Sequence, residues 1–447
     1  MQICIVGTGY VGLVTGTCLA EIGHRVVCVD DDREKVELLQ AGGMPIYEPG
    51  LEELVASNTR EGRLAFTADL KEGIEAAMVV FICVGTPPLE NGDADLSAVE
   101  QVARRVGELS ASYKLVVEKS TVPVQTGMWI EKTLKVYGDG GKIEFDVASN
   151  PEFLREGSAV EDFLHPDRIV VGVGGPRAER LLREIYDPIV RRTFSCPLHT
   201  ECSGAAPVPF LVTDIRSAEL IKHASNSFLA TKISFINSVA DLCELVGADV
   251  ELVAEGMGLD RRIGRAFLRA GLGFGGFCFP KDLQAFVKIA EKCGHDFHLL
   301  REVERINQAR ILQAIRRLKD QLWILKDKVI GVWGLAFKPD TDDVRYSPAL
   351  ALIKQLLVEG VSVKAYDPKA IKKARREIPS LACCQDPYEA VSGADALVVA
   401  TEWKEFESLD LTLVRTLMRR PLVFDGRNLF NQEKMKSMGF EYLGIGR

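Results

Sequence analysis

Residues 271–283, GLGFGGFCFPKDL, set a single thiol, Cys278, between a glycine-rich loop and Pro280-Lys281-Asp282. Pro280 suits the first position of a helix, predicted over KDLQAFVKIAEKCG. Cys278 then stands just ahead of a helix N-terminus and close to Lys281, and both features favour a thiolate. The glycines of GFGG carry no side chains, so backbone N–H groups can face a ligand. A thiol so placed is a candidate nucleophile. The plainer alternative is a buried structural cysteine, the reading given to Cys4, Cys28 and Cys83 inside predicted strands.

At the other end of the chain, residues 7–12 read GTGYVG. A GxGxxG alone is a weak signal, but here an apolar run, QICIVG, precedes it and a helical run, LVTGTCLAEIG, follows. In that setting Gly7 makes the tight turn, Gly9 lets backbone approach a pyrophosphate, and Gly12 lets helix pack on strand. The helix N-terminus, with Tyr10 and Val11 inside the motif, faces the phosphate charge. Asp30 ends the next predicted strand, 18 residues after Gly12. A carboxylate there accepts from ribose hydroxyls and repels a 2′-phosphate, which selects NAD over NADP. Lys35 lies within reach of the same ribose.

A dinucleotide and a nucleophilic thiol together imply more than one alcohol oxidation. Thiolate and aldehyde give a thiohemiacetal, which can lose a hydride to become a thioester, and water then releases an acid. The pair therefore suggests oxidation of an alcohol through to a carboxylate.

These residues need a scaffold. The apolar runs QICIVG, RVVCVDDD, MVVFICVGTPP (78–88), KLVVEKSTVP (114–123) and IEFDVASNP (143–151) alternate with helical segments such as residues 95–110. That alternation predicts a doubly wound parallel sheet, with ligands at the carboxyl ends of the strands. Gly7, Asp30, Thr86, Thr121 and Glu152 all fall there. Residues 217–247 read as one long helix, apolar around its circumference and so expected to be buried in a subunit or dimer core. From 327 the strand–glycine–helix logic repeats. The fold expected is α/β: two Rossmann-like doubly wound domains joined by a central, mostly helical dimerisation region. The domains are placed at 1–205, 210–322 and 325–447.

The 447 residues carry a net charge of −8 and no concentrated basic stripe, which argues against a nucleic-acid partner. Eleven scattered cysteines fit a reducing cytoplasm better than a disulfide framework. The N-terminal apolar run lacks a basic flank, so no cleaved signal is expected. No run approaches the ~18 apolar residues of a membrane span.

With these motifs in hand the chain resembles the UDP-glucose/GDP-mannose dehydrogenase family, from residue 2 to about 430. The resemblance rests on GTGYVGL (7–13), VGTPP (84–88), EKSTVPV (118–124), NPEFLREG (150–157), SAELIKHASNSFLATKISFIN (217–237), RIGRAFLRAGLGFGG (262–276), CFPKD (278–282), FKPDTDDVR (337–345) and FDGR (424–427). It implies oxidation of a sugar C6 alcohol to a carboxylate with two NAD. Cys278 matches the family's nucleophile and Glu152 its base for thioester hydrolysis. Lys222 and Asp282 match groups that hold a water and stabilise developing alkoxide charge. Asn226 lies one helical turn from Lys222 on the same face.

By the same matching Thr86, Thr121, Lys281 and Arg345 are cofactor contacts, with Thr121 also placed among the catalytic residues, and Glu156 lies near the nicotinamide. Phe153, Leu154 and Arg155, with Glu152 and Glu156, match the sugar-nucleotide cradle. So does the 267–275 loop, with Phe267, Leu268, Gly271, Phe274 and Gly275; Phe279 and Lys338 lie beside it. Arg262 and Arg427 match two arginines near the sugar and phosphates. In the family the first comes from the partner subunit, which implies a homodimer or larger assembly with residues 217–247 at its interface.

Two departures stand out. Where the family has a small residue before the cysteine, usually serine, this chain has Phe277. That keeps an alternative substrate open: the same chemistry on GDP-mannose or a UDP-N-acetylhexosamine. The segment 191–210 is longer than the resemblance leads one to expect and holds Cys196, His199 and Cys202. Three ligands fall short of the four of structural zinc, so a surface loop without metal is the expectation.

Overall fold

The computed structural model describes residues 1–199 and 206–447. The chain divides into two compact units, Met1–Ser225 and Asn226–Arg447.

The first unit is built on eight strands: β1 (Gln2–Val6), β2 (Arg25–Val29), β3 (Leu64–Thr67), β4 (Val79–Ile82), β5 (Lys114–Glu118), β6 (Phe145–Ser149), β7 (Ile169–Val173) and β8 (Phe210–Thr213). Their order is β3-β2-β1-β4-β5-β6-β7-β8. Strand residues alternate between two apolar layers. Ile3, Ile5 and Phe81 enter one, and Cys4, Val6, Val80 and Ile82 the other. This period of two, apolar on both faces, belongs to a sheet covered on both sides by helices. Five strands follow the predicted runs; β3, β7 and β8 are additions.

The parallel sheet expected over the first 150 residues holds through β6, and the one antiparallel junction lies where the added strand β7 joins it. β6 and β7 pair antiparallel, whereas the other neighbours are parallel. An antiparallel neighbour needs no crossover. The connection 150–168 therefore begins and ends at the carboxyl edge of the sheet, and holds Glu152 through His165 there.

The second unit has helices Val250–Gly258, Cys278–Lys292 and His298–Leu322 ahead of six parallel strands. These are β9 (Val329–Trp333), β10 (Ser362–Tyr366), β11 (Ala382–Cys383), β12 (Ala396–Val399), β13 (Leu422–Asp425) and β14 (Glu441–Leu443), ordered β11-β10-β9-β12-β13-β14. Ile236, Leu318, Trp333 and Ile445 belong to one continuous core. Residues 226–322 of the expected central region thus share a unit with the expected C-terminal domain, whereas 210–225, with β8, belong to the first unit.

The helix expected over 217–247 spans Ile215–Val246. Its apolar circumference is not buried all round in this chain. Ala230, Ile236, Ala240 and Cys243 are buried, while Phe228, Phe235, Leu242 and Leu245 are exposed, Leu245 by 84%. Among the described residues no helix is long and apolar enough to cross a membrane.

Candidate active site

The dinucleotide loop has the shape its glycines predict. Gly7 adopts φ +98°, and a Cβ there would lie 2.7 Å from the Cys83 carbonyl oxygen. A Cβ on Gly12 would lie 1.8 Å from the Gly7 oxygen, so only glycine lets the helix Tyr10–Glu21 close on β1. Gly9 caps that helix, and a Cβ on it would meet nothing within 4 Å. That opening in front of a helix N-terminus fits a pyrophosphate.

Asp30 is buried. Its Oδ2 accepts from the Thr8 amide and hydroxyl, both at 2.7 Å, and Lys35 Nζ donates to both carboxylate oxygens at 3.0 Å. Burial favours the neutral acid. The bonds from Thr8 and Lys35 outweigh it and hold the carboxyl below its ordinary range. An anionic acceptor at this strand end is what a ribose requires. Thr86 and Thr121, at the ends of β4 and β5, meet through the Thr86 hydroxyl, which donates to the Thr121 carbonyl at 2.8 Å.

The 152–158 loop is tied down by Glu48, which motif reading missed, and by Tyr10 of the dinucleotide motif. Glu48 accepts from the amides of Gly157 and Ala159, each at 2.7 Å, and the Gly157 amide also meets the Tyr10 hydroxyl at 2.8 Å. Tyr10 therefore links the dinucleotide helix to this loop. Glu48 gives no spacing signal, because its partners lie 109 and 111 residues away. Arg155 is exposed and clamped by Asp162, with Nε–Oδ2 at 3.0 Å and Nη2–Oδ1 at 2.6 Å. Phe153, Leu154 and Glu156 are half-buried around it.

Glu152 and Lys222 are both buried, and Lys222 Nζ donates to Glu152 Oε1 at 2.8 Å. The other carboxylate oxygen accepts from the Leu154 amide at 2.6 Å. Lys119, also missed from sequence, is buried and donates to Asn150 Oδ1 at 3.1 Å. Burial pushes its ammonium down to about 8.

In the second unit the cysteine loop is similarly built. The helix begins at Cys278 itself, two residues before the expected start at Pro280. A first-turn proline costs nothing there, because its missing N–H would have no intrahelical acceptor. Cys278 is thus the first helical residue rather than the one ahead of it, and is half-buried. Asp282, one turn on, accepts from Asn226 Nδ2 at 2.6 Å and lies 3.2 Å from Lys281 Nζ.

The glycine loop is held by Asn307, again unforeseen, whose side chain exchanges bonds of 2.8 and 3.0 Å with the backbone of Phe274. Asn237 accepts from the Gly271 amide at 2.8 Å. A Cβ on Gly275 would lie 2.3 Å from the Tyr346 oxygen. Phe279 packs between Phe267 and Phe274, at 6.0 and 5.9 Å, and Leu268 is buried. Arg427 reaches the same loop and donates to the carbonyls of Ala400, Gly273 and Phe337 at 2.8–3.2 Å. Lys338 stands over the Phe337 ring.

The Phe277 ring has the Arg345 guanidinium 4.3 Å and Lys281 Nζ 5.4 Å from its centre. Arg345 is also clamped by Asp343 at 2.7 Å. Arg262 lies apart from this cluster. Its side chain is exposed and pairs with Asp260 at 2.6 Å.

Near the end of the first unit, His165 joins Cys196 and His199, with the three ligand atoms within 4.8 Å of one another. The sequence reading had grouped Cys196 and His199 with Cys202, which lies outside the described residues. His165 sits 31 positions before Cys196 and no local spacing reveals it.

Three family profiles cover most of the chain. They are described as the UDP-glucose/GDP-mannose dehydrogenase family NAD binding domain (residues 1–190), central domain (216–309) and UDP binding domain (331–432). The chain is 45% identical to UDP-glucose 6-dehydrogenase TuaD of Bacillus subtilis, over 100% of this chain and 93% of that protein. It is 46% identical to the UDP-glucose 6-dehydrogenase of Rhizobium meliloti, over the whole of both. Among solved structures, a UDP-glucose dehydrogenase from Pyrobaculum islandicum matches with a TM-score of 0.89 and 41% identity, covering 99% of this chain and 97% of that one. A UDP-D-ManNAc dehydrogenase from Pyrococcus horikoshii matches with a TM-score of 0.84 at 28% identity, covering 100% and 99%. With its profiles matched in order and its relatives aligned end to end, the chain belongs to the UDP-glucose/GDP-mannose dehydrogenase family.

Proposed function

We propose that this protein is a UDP-glucose 6-dehydrogenase that oxidises the C6 alcohol of UDP-glucose to the carboxylate of UDP-glucuronate. The observation that carries this reading is Cys278 as the first residue of the helix Cys278–Lys292, in a chain that also builds a dinucleotide loop. The full-length likeness to UDP-glucose 6-dehydrogenases supports glucose as the sugar.

Two NAD molecules, bound one after the other, would each accept one hydride. The residues that would hold NAD are Gly7, Gly9, Tyr10, Val11, Gly12, Asp30, Lys35, Thr86, Thr121 and Glu156 in the first unit, and Lys281 and Arg345 in the second. Cys278 Sγ, its negative charge favoured by the helix N-terminus, bonds to the aldehyde carbon and retains it as a thiohemiacetal. After the second oxidation that carbon is held as a thioester. Glu152 takes a proton from water, the water oxygen bonds to the thioester carbon, and the C–S bond breaks to return the thiolate. Lys222, Asn226 and Asp282 steady the oxygen that carries developing charge. The sugar nucleotide is cradled by residues 152–156 and the 267–275 loop, with Phe279, Lys338 and Arg427.

The same reading makes the protein a homodimer or larger, acting in the cytoplasm, where its thiols stay reduced. Phe228, Phe235, Leu242 and Leu245 form an exposed apolar stripe along one helix, the kind of surface a second copy covers. Phe235→Glu should shift the mass measured by light scattering toward monomer; an unchanged mass rejects this interface.

The deciding assay runs UDP-glucose and NAD to completion against a known amount of sugar. Two NADH per sugar are expected, and one NADH per sugar overturns the four-electron reading. Comparing kcat/KM across UDP-glucose, GDP-mannose and two UDP-N-acetylhexosamines decides the sugar.

A further inference from the structure

We propose that His165, Cys196 and His199 form a metal site for zinc or a similar divalent transition ion, separate from the catalytic residues. Cys196 Sγ lies 3.5 Å from His165 Nε2 and 3.7 Å from His199 Nδ1. A tetrahedral zinc ion at its usual bond lengths to sulfur and nitrogen sets those atoms about 3.6 Å apart. Both sulfur–nitrogen edges match those a bound ion needs, and all three ligand atoms lie within 4.8 Å of one another.

The surroundings are those of a ligand set. The amides of Leu198 and His199 donate to Cys196 Sγ at 3.4 and 3.3 Å. Each imidazole turns its remaining nitrogen toward Glu161. His165 Nδ1 lies 3.5 Å from Oε1 and His199 Nε2 3.7 Å from Oε2. At these distances neither contact is a formed hydrogen bond, but Glu161 is the carboxylate placed to orient both rings around an ion. Two imidazoles and a thiolate suit zinc, cobalt or nickel rather than magnesium or calcium. The described residues supply three of the ligands that such an ion takes.

Place in the fold suggests what the ion does. Glu161 lies in the short helix Ala159–Leu164 and His165 caps its end, while Cys196 and His199 belong to the segment after the helix Pro176–Val190. The ion would pin that segment to the helix that follows the 152–158 loop. It would tie that segment down beside the loop assigned to the sugar nucleotide.

The test uses untagged full-length protein stripped with a chelator and titrated with cobalt(II). One equivalent per chain should produce a thiolate-to-cobalt charge-transfer band that zinc abolishes. The band should persist in Cys278→Ser and Cys293→Ser and vanish in Cys196→Ser. Glu161→Gln, which leaves the three ligands in place, should weaken cobalt binding about 10- to 100-fold. His165→Ala should weaken it at least as much, with circular dichroism and thermal melting checking its fold. Zinc added back to stripped wild type should raise its melting temperature. No band in the wild type, a band that survives Cys196→Ser, or unchanged affinity in both His165→Ala and Glu161→Gln would overturn the site.

Discussion

Lys222 Nζ and Glu152 Oε1 form a buried ion pair at 2.8 Å, joining the start of the long helix Ile215–Val246 to the loop that follows β6. Taking one partner from such a pair leaves an uncompensated buried charge. Lys222→Met should therefore destabilise the protein by about 3–5 kcal/mol, read as a lower urea midpoint at unchanged slope. Glu152→Gln keeps a hydrogen-bonding side chain but removes the proposed base. It should lower kcat by about 10²–10⁴ and trap a thioester on Cys278, visible as added mass in the intact protein. Full turnover in Glu152→Gln would remove Glu152 from the hydrolytic step.

Cys278→Ser should abolish steady production of NADH from UDP-glucose. In the wild type, iodoacetamide should modify Cys278 well ahead of Cys4, Cys18, Cys28 and Cys83. Those four are buried, and burial pushes each of their thiols up. Peptide mapping after limiting alkylation reads the order, and UDP-glucose should slow the Cys278 reaction.

The two loop glycines separate folding from binding. A Cβ on Gly12 collides with the Gly7 oxygen at 1.8 Å, whereas one on Gly9 meets no protein atom within 4 Å. Gly12→Ala should lower the melting temperature by several degrees. Gly9→Ala should leave melting unchanged yet raise the Kd for NAD about tenfold or more, measured by calorimetry. A Gly9→Ala protein with native affinity would mean that the opening is not where pyrophosphate sits.

Phe277 carries Arg345 and Lys281 against its ring. Each such contact is worth about 0.5–2 kcal/mol. Phe277→Ser should release both cations and raise the KM for NAD several-fold. The ranking of sugar nucleotides should stay as in the wild type. A changed sugar ranking with unchanged KM for NAD would instead place the ring against the sugar.

Lys119 offers a pH-dependent test. Burial first of all, with Lys222 adding to it, lowers its ammonium to about 8 from an ordinary 10.5. Between those values the unfolded chain binds the proton and the folded one does not, so this group makes stability rise with pH across that window. Below pH 8 both states are protonated and the buried charge is a constant burden. Lys119→Met should melt higher than the wild type at pH 7, with the difference shrinking as pH rises from about 8 to 10.5. A difference that stays constant would show that Lys119 does not titrate there.

The sequence by itself determined what is local. Glycine spacing, apolar strand runs and the acid at the end of β2 follow from a few adjacent residues whose backbone demands are specific. They located Gly7, Gly9, Gly12 and Asp30, the cysteine loop and the strand–helix alternation. Even there a first-turn proline misplaced the helix start by two residues, because proline fits several positions of that turn.

Only the tertiary structure decided which distant groups meet. The antiparallel β6–β7 junction keeps residues 150–168 at one edge of the sheet, a matter of chain path that no periodicity encodes. Glu48 grips amides more than a hundred residues away, Asn307 clamps Phe274, and His165 rather than Cys202 completes a triangle with Cys196 and His199. The long helix shows the same division. Its sequence is apolar on every side, but which side this chain covers depends on what folds against it.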